Sequence, residues 1–368
     1  MRWQAGVVLA AASWLLLACA PARTDDAPVR PDPDVAPLVD YIDQAVGTER
    51  FRGAVEVRRD KKVVLRRGFG FAAPAAGVPN GPTTRFRIAS VTKQFTALAV
   101  LILQEQGKLD VADTVCAYLP NCPPQWAPIT IDMLLTHTSG LHDYGANLDQ
   151  YLAALGTRQP TPDQLVQLTA SQPLDFPPGT KWAYSNSGYD VLGKLVERVS
   201  GQSYGDFLRQ NILDPLGMSD TGYRPGRTPG REDAVGYENW DTPAEVFDDS
   251  AFFAAGGLYS TVTDLGRWQR FLLTDDPPVV RQDTLTNLLM PRVAESPTAM
   301  RWYGYGIESR GATMSAIDSY GHSGGLPGFN SYLETRPASG ITVVVLANTA
   351  IDSESFGRTL AELLPKGP

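Results

Sequence analysis

Phe86-Arg87-Ile88-Ala89-Ser90-Val91-Thr92-Lys93-Gln94-Phe95 is the stretch around which both the fold and the chemistry of this 368-residue chain are organised. A serine stands three residues before a lysine, at the head of a strongly apolar run. Phe95, Leu98, Ala99 and Ile102 recur at helical spacing and Gly107 follows as a C-cap, which predicts a helix beginning near Ser90. Residues three apart share a helical face. Ser90 would then sit at a helix N-terminus, where free N–H groups and the dipole favour an oxyanion, with a proton acceptor one turn away. The same residues also suit an N-cap serine and an ordinary helix lysine. This is the only Ser-x-x-Lys in the chain, and the choice between the two readings rests on what accompanies it.

Two segments accompany it. Pro177-Pro178-Gly179-Thr180-Lys181-Trp182-Ala183-Tyr184-Ser185-Asn186 reads as a turn and short loop leading into a helix. Tyr184 and Asn186, two apart, can face one side of an extended loop. A phenol near a lysine can exchange protons, and an amide can hold a carbonyl or orient the amine. Tyr237-Glu238-Asn239 has the same spacing, so this motif alone does not discriminate. The second segment is Tyr320-Gly321-His322-Ser323-Gly324-Gly325-Leu326-Pro327-Gly328-Phe329. It reads as a strand with His322 and Ser323, then glycines that allow close backbone approach. It also suits a glycine-rich hairpin with a surface histidine.

Ser-x-x-Lys, Tyr-Ser-Asn and His-Ser-Gly, in that order, resemble the serine β-lactamase and penicillin-binding protein superfamily. The closer resemblance is to the class C β-lactamase-like branch, with its D-alanyl-D-alanine carboxypeptidases, D-aminopeptidases and esterases. Leu134-Leu135-Thr136-His137-Thr138-Ser139-Gly140-Leu141, Asp214-Pro215-Leu216-Gly217-Met218 and Gly256-Gly257-Leu258-Tyr259-Ser260 also look like that family, so the likeness runs from about residue 36 to the end. It implies a serine hydrolase that forms an acyl-enzyme on Ser90, with Lys93 and Tyr184 sharing the general-base work. Asn186, His322, Ser323 and Gly324 would contact substrate, and the backbone N–H groups of Ser90 and Gly325 would form an oxyanion hole. Peptidoglycan-like peptides, β-lactams and small esters are the substrates it implies. The family's class C enzymes usually carry Lys-Thr-Gly where this chain has His-Ser-Gly. A mostly neutral histidine attracts a substrate carboxylate less strongly, which argues against efficient β-lactamase activity.

Two other readings use the same residues. A sensor that is acylated without efficient turnover needs the same Ser90 and Lys93. Gly321-His322-Ser323-Gly324-Gly325 also fits Gly-x-Ser-x-Gly, the nucleophile elbow of α/β-hydrolases, with Ser323 as nucleophile. That triad needs a histidine after the serine, and His137, His142 and His322 all precede it.

The rest of the chain bounds the setting. A formal net charge of -8 without a compensating basic stretch argues against nucleic-acid binding. Residues 1–19 read as a lipoprotein signal, with Arg2, an apolar run from Val7 to Leu17, and Leu16-Leu17-Ala18-Cys19 at its end. Cys19 would be lipidated, making the lipid the sole membrane attachment and placing the protein in the periplasm. Residues 20–35 read as a flexible linker. In an exported chain Cys116 and Cys122 read as a disulfide closing a small loop, worth about 2 kcal/mol. No metal site or cofactor is expected, since His137 and His142 lack a His-Glu-x-x-His spacing.

A helix over 35–46, strands over 52–58 and 62–71, and late strands over 303–308, 320–322, 331–336 and 341–347 predict an α/β (α+β) fold. One antiparallel sheet is built from both chain ends and flanked by helices, with an all-helical insertion over roughly 90–250, all within one catalytic domain over 36–365.

Overall fold

A computed structural model describes residues 35–295, 298 and 300–364. The signal segment with Cys19, and nearly all of the 20–35 linker, lie outside the described residues.

The sheet has eight strands: β1 (Gly53–Arg59), β2 (Lys62–Phe69), β3 (Val293–Ala294), β4 (Arg301–Tyr303), β5 (Glu308–Thr313), β6 (Ala316–Leu326), β7 (Phe329–Arg336) and β8 (Ile341–Ala347). Their spatial order is β2-β1-β8-β7-β6-β5-β4-β3, and neighbours run antiparallel. The two chain ends meet where β1 pairs with β8, from Gly53 opposite Ala347 to Arg59 opposite Ile341. The antiparallel sheet with helices is the predicted class. It rules out the α/β-hydrolase reading, whose nucleophile stands on a strand-to-helix elbow. Ser323 instead lies within β6, paired to Tyr332 of β7.

Side chains alternate across a strand, so a central strand serves two cores. Val344 and Leu346 of β8 join the large cluster under the helical body. Val343, Val345 and Ala347 face a second cluster with the Ala36–Gly47 and Ser353–Leu363 helices. Phe356 of the latter stacks on Phe51 at 4.6 Å.

The Thr92–Glu105 helix crosses the large cluster and is buried on every side from Thr92 to Leu103. A helix apolar all round belongs in a core. Ser90 does not open it: Ala89–Val91 forms a separate 3₁₀ turn just before it. The 303–308 strand is also corrected. It splits into β4 and β5 around a turn where Gly306 has φ +68°, a conformation open to glycine. A Cβ on Gly306 would come within 2.5 Å of the Lys93 carbonyl, so this turn packs on the helix that carries the lysine. Helices also continue past residue 250, over Val262–Leu272 and Gln282–Leu289. Cys116 and Cys122 are joined, with 5.3 Å between their Cα atoms. No helix among the described residues is long and apolar enough to cross a membrane.

Candidate active site

The three motifs converge on one point. Ser90 Oγ lies 3.1 Å from Lys93 Nζ, and the Tyr184 hydroxyl donates to it at 2.7 Å. Lys93 Nζ also donates to Asn186 Oδ1 and to the Ala255 carbonyl, each at 2.8 Å. The 3₁₀ turn places Ser90 and the helix places Lys93. Tyr184 ends the loop that Ser185 caps, its side chain accepting from the Gly188 N–H at 3.2 Å to start the Asn186–Ser200 helix.

The electrostatics follow from burial. Lys93 is fully buried, which brings its amine down to about 7, against the opposing pull of the Asp143, Asp190 and Glu308 carboxylates. Burial pushes the Tyr184 phenol well above its usual range, so it remains protonated at neutral pH. Asp190, also buried, is raised to about 8 and accepts the Ala255 N–H at 3.2 Å.

The chain supports this centre with residues that sequence reasoning missed. His137 Nδ1 accepts the Ser185 N–H at 3.1 Å, and its ring lies 4.4 Å from that of Tyr184. Burial holds it well below its usual range, and a neutral imidazole suits an accepting Nδ1. Its carbonyl takes the Ala183 N–H at 2.9 Å, so one residue pins both ends of the Tyr184 segment. Asp143 Oδ1 accepts the Asn186 N–H at 2.7 Å. Asp143 follows the Leu134–Leu141 motif by two residues, the only signal that pointed to it. Nothing in the sequence marked the Ala255 carbonyl.

Backbone strain gathers at the same place. Ala89, beside Ser90, has φ 48°; His137 has φ 58°; Phe253, two residues from Ala255, has φ 28°. Non-glycine residues persist in this region where the surroundings over-determine them.

Strand β6 forms the opposite wall. His322 is buried with both ring nitrogens bonded within the protein: Nε2 to the Tyr303 hydroxyl at 3.0 Å, and Nδ1 to the Ser323 carbonyl at 2.5 Å. An N–H at Nδ1 donating to that carbonyl leaves Nε2 to accept, so the ring is neutral. Burial, then the Lys93 charge, depress it to about 3. Ser323 Oγ donates to Glu308 at 3.5 Å. Gly325 lines the cleft beside Ser90.

Gly324 sits where the strand crosses the Ser90 turn. A Cβ there would lie 2.6 Å from the Ile88 carbonyl and 2.4 Å from Ser331 Oγ, which itself donates to that carbonyl at 2.7 Å. Gly324→Ala is therefore expected to push β6 off the turn, destabilising the fold by about 1–3 kcal/mol. A thermal melt reads the destabilisation, and a matching fall in kcat reads the displaced Ser90.

The cleft encloses about 650 Å³. A separate cavity of about 510 Å³ opens against Tyr204, Tyr223 and Tyr259 and shares no lining residue with it. Among the described residues no cluster of His, Cys, Asp and Glu is arranged to hold a metal ion.

The family model described as Beta-lactamase matches residues 38–364. The chain belongs to the beta-lactamase family. Penicillin-binding protein 4* of Bacillus subtilis (strain 168) is 30% identical to this family member over 331 residues, spanning 83% of this chain and 70% of that one. The crystal structure of a penicillin binding protein from Bacillus halodurans superposes with a TM-score of 0.77 at 27% identity, covering 91% of this chain and all of that one. A D-stereospecific amidohydrolase from Streptomyces sp. superposes with a TM-score of 0.74 at 26% identity, covering 90% and 98%. This beta-lactamase-family chain is thus similar both to penicillin-binding proteins and to an amidohydrolase, on the serine β-lactamase-like fold.

Proposed function

We propose that the protein is a hydrolase that cleaves an ester or amide bond through an acyl-enzyme on Ser90. The observation that carries this reading is the paired approach of the Lys93 amine and the Tyr184 hydroxyl to Ser90 Oγ, at 3.1 and 2.7 Å.

The bonding pattern also supports Lys93 as the base. A neutral amine has two N–H groups and one lone pair. Asn186 Oδ1 and the Ala255 carbonyl take the two donors, so the lone pair is left toward Ser90 Oγ. Tyr184, protonated, can only donate to that oxygen. The Ser90 proton then passes to Lys93 Nζ as Oγ bonds the substrate carbonyl carbon. The carbonyl oxygen becomes an oxyanion facing the backbone N–H groups of Ser90 and Gly325, each donor worth roughly 3 kcal/mol. When the tetrahedral carbon collapses, the leaving group takes a proton from the Lys93–Tyr184 pair. Water repeats the attack on the acyl-enzyme, frees the acid and restores Ser90.

A panel of p-nitrophenyl esters, nitrocefin and D-alanyl peptides tests the reading. Turnover of at least one substrate that disappears with Ser90→Ala supports it. A stoichiometric Ser90 adduct without turnover supports the sensor instead, and no Ser90-dependent reaction defeats both. Tyr184→Phe removes the donor and keeps the ring. It is expected to lower kcat by about 100-fold or more while KM changes little, as steady-state kinetics would show.

A further inference from the structure

We infer that the Ser90 cleft takes uncharged esters or amides bearing an apolar group, and rejects substrates whose leaving group ends in a carboxylate. This rests on the acyl-transfer reading above and names its substrate class.

No cation is among the described residues that line the cleft, and Arg158, stacked over the Phe247 ring at 5.2 Å, is paired with Glu245 at 2.7 Å and Asp149 at 3.6 Å. Of the described residues that line the cleft, Asp149 is the one with a charged side chain. Lys93 lies at its floor, fully buried and bonded to Asn186 and Ala255. A carboxylate would therefore shed its hydration without gaining a positive partner.

The β6 wall makes this worse for an anion. His322 is neutral and has no free ring nitrogen. The Ser323 hydroxyl points to Glu308, whose carboxylate also lies 3.6 Å from His322 Nδ1. The cations behind that wall are already engaged: Arg301 with Glu295, Glu308 and Glu354, and Arg310 with Glu354. An anion docked on Ser323 would meet the Glu308 carboxylate, with a neutral His322 at the position where Lys-Thr-Gly has its lysine. Burial raises Glu308 above its usual range, which weakens this repulsion toward acid pH and leaves the missing cation as the constant term.

The facing wall suits an apolar group. Tyr144, Leu148, Phe247 and Phe252 line it, and Leu326 and Pro327 at the end of β6 add to the same apolar lining. Phe247 and Phe252 are packed with Leu152 and Ala251 into a small cluster apart from the main core, with Leu148 and Leu326 against it. That cluster stands beside the nucleophile, and its volume accommodates an aryl or medium alkyl group.

The test uses the full chain and a matched pair of esters, phenyl phenylacetate and 3-carboxyphenyl phenylacetate, reading phenol release in the first turnover. First-turnover release reports acylation whether or not the acyl-enzyme then hydrolyses. The uncharged ester is expected to react at least about 100-fold faster. Glu308→Gln is expected to narrow that ratio by about tenfold. A neutral fluorophosphonate probe, with Ser90→Ala as control, reads the nucleophile separately. Equal or faster Ser90-dependent release from the carboxylate ester overturns the inference and leaves the acyl-transfer reading standing. Labelling of Ser90 without phenol release from either ester also overturns it. Absence of both labelling and release defeats the acyl-transfer reading, and the inference with it.

Discussion

Ser90→Ala is expected to lower the first-turnover rate on the best ester by on the order of 10⁴-fold or more, and to abolish labelling by a fluorophosphonate probe. The size follows from what is removed. The Ser90 oxygen is the atom on which the Lys93 amine and the Tyr184 phenol converge, and without it neither has anything to activate. What remains is binding and any oxyanion stabilisation, which cannot form a covalent intermediate. The fold should survive: alanine keeps the Cβ in the Ala89–Val91 turn. The Tyr184 hydroxyl loses its acceptor, at a cost of about 1 kcal/mol. A denaturation curve beside the kinetics separates loss of chemistry from loss of structure. Ser323→Ala serves as the comparison, since Ser323 on β6 donates to Glu308 of β5 and its loss should leave Ser90 labelled. Unchanged reactivity of Ser90→Ala would remove the basis of the proposed mechanism.

Lys93→Met should be nearly as damaging to rate, by about 10³-fold or more, and should leave the fold as stable as before or more so. The amine is fully buried, with its pKa brought from 10.5 to about 7. An exposed lysine in the unfolded chain still binds its proton between pH 7 and 10, where the folded one has released it. The unfolded state therefore holds more protons in that window, and stability rises with pH across it. Below pH 7 the whole penalty stands, roughly 5 kcal/mol. Methionine fills a similar volume without the charge. It leaves Asn186 Oδ1 and the Ala255 carbonyl without their donor, at about 1 kcal/mol each, for a net gain of about 2–3 kcal/mol at neutral pH. Urea melts at pH 7 and pH 9 check this: the wild-type protein should gain stability between them, and the variant should gain less. The same titration sets the activity profile. If neutral Lys93 is the base, kcat/KM climbs with pH on an acid limb near 7. A limb governed by His322 would lie far lower, since that ring is held near 3.

The expectations that survived best were those written in local pattern. The 341–347 strand, the helix that follows the Tyr184 loop and the buried helix after Ser90 were each visible in periodicity and punctuation. Those that shifted involve long-range contacts. The 303–308 run is rich in aromatic and β-branched residues and reads as one strand, yet Gly306 lets it turn against the Lys93 helix. The Val262–Leu272 helix carries Leu265, Trp268, Phe271 and Leu272 on its buried face, a pattern that expectation of late strands overlooked. His137 illustrates the limit most sharply. Its effect depends on a loop 48 residues later reaching its ring, where Ser185 N–H finds Nδ1.

By itself, then, the amino-acid order determined which residue types carry the chemistry and that strands at both ends enclose helices, because helical and strand periodicity and a nucleophile three residues from an amine are local properties. Tertiary structure alone decided the rest. It put the Ala255 carbonyl and Asn186 on the amine's two donors, placed Glu308 rather than a cation behind Ser323, and removed the water that would have kept Lys93 charged. Desolvation and hydrogen-bond geometry depend on which distant segments meet, and no stretch of sequence carries that information alone.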